Sequence, residues 1–405
     1  MIKKNILVLV MLYLKALGRL IRNIFCLALT FLFIMSCLIL PLTYGGTLSC
    51  KVTTSGVIKG ARKHIVAYVP RIPDEFAEFV ASHFDIMVTN FYLRVEKIKA
   101  KNPNVIILGY RNVMAMHPHY EDWEEVNSHE DWFLHDVNGN RLVNKKYGWY
   151  AMDVGSPGWR EHYAKLVKAK LDANPAFDGL FADDVWEWNK YKNSDFTVDP
   201  TLIPSEIQQR WHNDMIGMLQ YIKQVIGNKL LIINTDDLSG DYLKYADGMM
   251  FENFGHGSWE TLDQFTINTI PQINALLKLS GTGKYVIVQS MALLPAVITP
   301  EDLNKAHKVF LYCFCSYLLG LNGSLTTFGF TNIHRTDAQI KGYYEEMDFD
   351  IGFPLGSYYI RDNLYIRNFS RATVLVNFSN ETRTTIINAK NYTLSPYSGI
   401  IVPSH

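Results

Sequence analysis

Eight short apolar runs, separated by amphipathic stretches, constrain this chain more than any other feature. The runs are His64–Val69, Asp85–Asn90, Val105–Tyr110, Gly179–Asp184, Leu230–Asn234, Gly248–Phe251, Tyr285–Gln289 and Ser324–Phe328. Most are rich in Val, Ile, Leu or Phe with little alternation, as strands buried on both faces are. Between them the periodicity predicts helices over Pro73–Ser82, Phe91–Ala100, Ser156–Ala173, Pro204–Ile226, Ser239–Tyr245, Trp259–Leu279 and Pro300–Leu319, with a last one at Asp337–Met347. Ser156-Pro157 supplies an N-cap followed by Pro at the first helical position, and Gly227 is a C-terminal stop. Pro271 should kink or split its helix. Eight β-α units predict an α/β fold, a (β/α)8 TIM barrel over residues 63–350. After Gly352 short alternating runs with turn residues between them predict a small C-terminal all-β sandwich over 351–405.

The N-terminus reads as an address. Lys3, Lys4, Lys15, Arg19 and Arg22 precede the uncharged segment Ile24–Leu42. A basic flank before about 19 apolar residues fits a hydrophobic signal or anchor helix, with the body on the far side of a membrane. Residues 1–45 are therefore expected to be a signal peptide or a single-pass signal anchor, and 46–62 a linker. Both versions export the body to the cell surface or the extracellular space; an uncleaved segment would tie it to the membrane.

Charge excludes one class of partner. The chain has 39 Lys and Arg and 39 Asp and Glu, but ten of the basic residues precede the first acid, Asp74. Removing those ten from 39 leaves 29 basic residues against 39 acidic ones, so the body is acidic. Nucleic-acid binding needs a basic face and is not expected. The five cysteines form no C-x-x-C pair, and no P-loop, dinucleotide fingerprint or G-x-S-x-G occurs, so no cofactor is expected.

In a barrel of this type the chemistry lies at the carboxyl ends of the strands. Two ends are strongly acidic. Asp178–Trp188 reads D-G-L-F-A-D-D-V-W-E-W, an apolar strand four running into Asp183 and Asp184. Met249-Met250-Phe251-Glu252-Asn253 repeats the pattern on strand six. Carboxylates at the end of an apolar strand must be solvated, paired or used. Cleaving a glycosidic bond needs two carboxyl groups flanking it. Asp183 and Glu252 are the candidate pair, with Asp184 the competitor, since alternation should put only one of the two neighbours in the barrel mouth. Tyr110, Arg111, Asp153, Asn234, Asp236, Asn253 and Gln289 are candidate sugar-binding groups at strand ends and in loops. Trp186 and Trp188 offer flat faces for sugar rings, as do Trp123, Trp132, Trp149 and Trp259, whereas the helical Trp159 and Trp211 read as core. The forty residues from Tyr110 to Asp153 predict a functional loop over the carboxyl face.

D-G-L-F-A-D-D-V-W resembles the strand-four signature of glycoside hydrolase barrels. Ala151–Arg160 (A-M-D-V-G-S-P-G-W-R), His129–Gly139 (H-E-D-W-F-L-H-D-V-N-G) and the tail Y-T-L-S-P-Y-S-G-I-I-V are similar to further segments of such enzymes. Together they resemble the hypothetical glycosyl hydrolase family 15, near the α-galactosidase and polygalactosaminidase barrels, over residues 64–403. The resemblance implies an acid on strand four as nucleophile or base and one on strand six as proton donor, acting on a polysaccharide or oligosaccharide. Two alternatives stay open. One is a carbohydrate-binding barrel without catalysis. The other is a metal-dependent hydrolase using His117, His119, Asp183 and His256, although H-x-H pairs of that class end the first strand and this one follows the third.

Overall fold

The computed structural model describes residues 61–144, 147–187, 203–235, 237, 239–257, 261–262, 269–292, 294–295, 298–330 and 342–404. The predicted signal or anchor and nearly all of the linker lie outside them. Among the described residues no helix is long and apolar enough to cross a membrane.

Eight parallel strands close into a barrel. They are β1 (Arg62–Val66), β2 (Ile86–Asn90), β3 (Ile106–Asn112), β4 (Gly179–Asp183), β5 (Leu230–Asn234), β6 (Gly248–Phe251), β7 (Tyr285–Ser290) and β8 (Thr326–Phe330). Each falls on one of the predicted runs and pairs with its neighbours in chain order. Closure comes where Arg62 and Lys63 of β1 meet Thr327 and Phe328 of β8. Alternation sorts the side chains. Val66, Ile86, Val88, Leu108, Phe181, Ile232, Met250 and Ile287 fill the barrel interior as one cluster. Their neighbours Ile65, Met87, Ile107, Leu180, Ala182, Ile233, Met249 and Val288 face the surrounding helices in a second, larger core. Both faces of β1 to β7 thus carry apolar side chains, which explains runs without a period of two, whereas β8 turns Thr327 inward beside Ile287.

The helices follow their sequence signals. Helix α1 (Asp74–His83) opens with Asp74 and Glu75. Helix α2 (Glu96–Lys101) is shorter than predicted. Phe91 instead turns inward and fills the space beside Gly109, where an added Cβ would lie 2.1 Å from its ring. In α3 (Pro157–Ala173) the Ser156 side chain accepts from Trp159 N. Helix α4 (Ser205–Ile226) stops at Gly227, with φ of 63°. Tyr242–Tyr245 is a single 3-10 turn rather than a helix. Helix α5 spans Thr269–Leu279 among the described residues and contains Pro271. Helix α6 (Pro300–Gly320) carries a complete capping box from Thr299 and Asp302. Of the last predicted helix, residues 337–341 lie outside the described residues, and Glu345–Asp348 forms a 3-10 turn.

The C-terminal part is all β. Four strands, β9 (Tyr359–Arg361), β10 (Leu364–Asn368), β11 (Ala372–Asn377) and β14 (Ser398–Pro403), make an antiparallel sheet in the order β9-β10-β11-β14. A hairpin of β12 (Arg383–Ile387) and β13 (Lys390–Leu394) covers one face, burying Leu364, Ile366, Leu375, Ile387 and Leu394 between the layers. The other face rests on α6, where Gly399 leaves room for Cys315. Arg367, 2 % exposed, reaches across to donate to the carbonyls of Leu318, Leu319 and Leu321 and so satisfies the end of that helix.

Candidate active site

The site is generated by one rule. On seven strands the residue two positions beyond the interior apolar side chain also points inward, one layer nearer the carboxyl end. Those residues are Tyr68, Asn90, Tyr110, Asp183, Asn234, Glu252 and Gln289, and all seven line one cavity of about 530 Å³. Polar groups replace the apolar layer at the same level around the barrel, which makes this mouth a site rather than a core.

Asp183 and Glu252 stand two strands apart with Asn234 between them. One Asn234 hydrogen-bond donor, Nδ2, lies 2.8 Å from Asp183 Oδ1 and 3.0 Å from Glu252 Oε2. Those two legs cap the separation of the facing oxygens at about 5.8 Å. The Tyr110 hydroxyl donates to the other oxygen of Asp183, Oδ2, at 2.7 Å. Burial, and then the charge of Asp183, push the Tyr110 hydroxyl well above its ordinary range, so it stays a donor. The same two causes, with Glu252 adding, raise Tyr68, whose ring meets that of Tyr110 edge-on at 5.1 Å.

Asp184 corrects the expectation that only one of the two neighbouring acids enters the mouth. Its φ is 58°, left-handed rather than extended, so alternation stops at Asp183 and both acids line the cavity. Asp184 is 7 % exposed and accepts from Asn112 Nδ2. Asn112 is itself fixed, its Oδ1 accepting from Met114 N and Ala115 N at 3.0 and 2.8 Å. Asn253 after Glu252 is left-handed too, with φ of 59°, and also lines the cavity.

The long third loop builds the remaining wall. Ala115–Met116, Trp149–Ala151 and Val143–Asn144 form a small antiparallel sheet. It presents Tyr147 and Trp149 to the cavity, stacked with ring centroids 4.8 Å apart. His117 and Tyr120 complete this side, and Trp186 stands at the end of β4. Burial raises Tyr120 to about 12, though the guanidinium of Arg111 pulls the other way.

Several predicted residues are not brought to the cavity. Arg111 follows Tyr110, so alternation turns it outward. There its Nη2 donates to both oxygens of Asp122 at 2.8 and 2.7 Å, and its guanidinium lies 4.5 Å from the Tyr120 ring centre. Burial alone would raise Asp122, but His162 and Arg111 outweigh it and hold the carboxyl down at about 2. Asp153 is engaged by Arg210 at 2.8 and 2.7 Å and by Gly155 N at 2.8 Å, which makes it a turn and ion-pair residue. Trp123 stacks on Tyr150 and Trp132 on His129, inside the loop's own core. Trp159 and Trp211 are core, as predicted. Trp188, Asp236 and Trp259 lie outside the described residues. The zinc alternative loses a ligand: both ring nitrogens of His256 face backbone carbonyls, Nδ1 at 2.7 Å from Met291 O and Nε2 at 3.0 Å from Thr261 O. Among the described residues no group of three metal-ligating side chains converges.

Sequence reasoning missed Tyr68 as a site residue, although counting two positions past Val66 would have found it; Asn90 is the polar end of the second apolar run. Tyr120 and Tyr147 had no such signal, because the third loop has no period.

The sequence matches the hypothetical glycosyl hydrolase family 15 over residues 99–373, well over half of its length, and the chain belongs to that family. This places it among the glycosidases. No curated protein matches it. Among solved structures, the glycoside hydrolase domain of PelA from Pseudomonas aeruginosa is 16% identical, with 66% of this chain and 100% of that chain covered and a TM-score of 0.45. The GH31 dextranase FjDex31A of Flavobacterium johnsoniae, complexed with glucose, is 9% identical, with 85% and 50% covered and a TM-score of 0.50. The second likeness is one of fold.

Proposed function

We propose that this member of the hypothetical glycosyl hydrolase family 15 is a retaining glycosidase acting on a cell-surface or extracellular polysaccharide or oligosaccharide. Asp183 is the nucleophile and Glu252 the acid/base. The observation that carries the reading is the single Asn234 amide nitrogen within hydrogen-bond reach of both acids. It keeps the facing oxygens closer than the roughly 6.5–9.5 Å an inverting pair leaves open for water. In the first step a carboxylate oxygen of Asp183 bonds to the anomeric carbon. The bond to the leaving oxygen breaks, and its electron pair takes the proton from Glu252. In the second step water attacks the same carbon while Glu252 accepts its proton, and the ester bond to Asp183 breaks, restoring both groups. The stacked Tyr147 and Trp149 rings, with Trp186, offer faces for sugar C–H groups.

Release of reducing ends from a polysaccharide panel, and of nitrophenol from 4-nitrophenyl glycosides, tests the assignment. Asp183→Asn and Glu252→Gln should each lower the activity found by at least about a thousandfold, and the first sugar released should keep its anomeric configuration by NMR. An inverted product, or full activity in either variant, removes the reading. Export of the body belongs to the same proposal and rests on the basic flank and apolar run before residue 45. External protease should reach it on intact cells; protection until lysis would overturn export.

A further inference from the structure

We propose that Asn234 is a positioning residue that couples the two acids, keeping Asp183 ionised and any proton of Glu252 off the oxygen Oε2. The inference rests on the retaining assignment above and deepens it. Strand β5 runs between β4 and β6, and Asn234 is its inward residue at the level of Asp183 and Glu252. Neighbouring strands lie about 4.8 Å apart, so acids two strands apart are held together only if something bridges the gap. Asn234, 5 % exposed, does so with a single nitrogen carrying two hydrogens, each aimed at one carboxyl group.

An amide nitrogen only donates. Asp183 Oδ1 and Glu252 Oε2 must therefore both accept, and neither can carry a proton toward it. Turning the amide over would set its carbonyl oxygen against two carboxyl oxygens. The second oxygen of Asp183 accepts from Tyr110, whose hydroxyl burial keeps protonated. With donors facing both of its oxygens, Asp183 is held as the carboxylate. Any proton that Glu252 carries is kept off Oε2, the oxygen facing the Asn234 amide. At a strand end Asn234 is also placed to bind a sugar hydroxyl. Its amide hydrogens are directed at the acids instead, so its loss should alter ionisation before it alters affinity.

Hydrogen bonds to the charged form favour it, so removing the amide should make both acids harder to ionise. In the full-length protein, Asn234→Ala should move both limbs of the kcat/KM pH profile on a hydrolysed 4-nitrophenyl glycoside upward by about one to two pH units. KM should hold while kcat falls. The isosteric Asn234→Asp guards against a folding defect in the alanine variant. It should also move both limbs up, because a third carboxyl group then shares the proton. Carboxyl 13C NMR titration of Asp- and Glu-labelled protein, with signals assigned through Asp183→Asn and Glu252→Gln, reads the same shifts without any substrate. Limbs and titrations that stay in place in both variants, or a raised KM with an unmoved profile, would overturn the inference. Full activity in Asp183→Asn or Glu252→Gln would instead remove the retaining assignment itself.

Discussion

Acidification should weaken this fold through His64, a buried imidazole in the barrel beneath the cavity. Its Nε2 lies 2.8 Å from Gln289 Oε1 and its Nδ1 3.1 Å from Thr327 Oγ1. A glutamine carbonyl only accepts, so the network assigns the hydrogen to Nε2 and leaves Nδ1 to accept from the threonine hydroxyl. Gly329 makes room for the ring, since an added Cβ would lie 2.5 Å from Nε2. Burial pulls the histidine from 6.5 down to about 4, against a smaller opposing effect of the Gln289 bond. The sign follows directly. Above pH 6.5 both folded and unfolded chains hold a neutral ring, and stability does not depend on it. As pH falls below 6.5 the unfolded chain takes up a proton that the folded chain refuses, so stability drops, levelling off once pH passes about 4. At 1.36 kcal/mol per unit the full effect is about 3 kcal/mol, of which about 2 kcal/mol falls between pH 7 and pH 5. Other groups also titrate there, so the assay is a difference. Urea unfolding of the wild type and of His64→Gln is compared at pH 7 and pH 5, and the wild type should lose about 2 kcal/mol more. Equal losses would show that His64 is charged in the folded protein, or reachable by water, and would refute the argument.

Two further outcomes follow from the same structure. Arg111→Met should leave Asp122 buried without its guanidinium and cost about 3–5 kcal/mol in urea unfolding, while the protein that remains folded keeps its kcat, because Arg111 faces away from the cavity. Asp184→Val should lower the melting temperature more than Asp184→Asn does, since a β-branched residue resists the left-handed conformation by about 1–2 kcal/mol; equal melting temperatures would mean that the turn relaxes freely.

The barrel was legible because burying both faces of each strand leaves an unbroken apolar run, and eight such runs admit few topologies. Asp183, Glu252, Asn234, Gln289 and Tyr110 were legible because a polar residue just past an apolar strand has few roles. Arg111 was misread by proximity in sequence: one residue from Tyr110 is the opposite face of the strand. Asp153 was misread because its partner, Arg210, lies on α4, which no local pattern connects to it. The loop wall of His117, Tyr120, Tyr147 and Trp149 depends on a three-stranded sheet whose strands are two or three residues long, too short to show a period.

The positions of Asp184 and Asn253 show what finishes the site. Each is a non-glycine residue in the left-handed region, and each directly follows one of the two proposed catalytic acids. An extended continuation would carry the chain onward with Asp184 facing the helices, in an apolar layer where a carboxylate is costly. The left-handed step costs about 1–2 kcal/mol and turns the backbone at the layer where apolar side chains give way to polar ones. Asn and Asp tolerate that step better than most residues, which fits their presence at these two positions. The adjacent acids of β4 therefore divide between two sets of partners in one cavity. Asp183 is gripped by Tyr110 and Asn234 beside Glu252, and Asp184 by Asn112, whose own carbonyl is fixed by the start of the third loop. Backbone strain of this kind persists only where the surroundings hold it, and here the hydrogen bonds to both acids are what hold it.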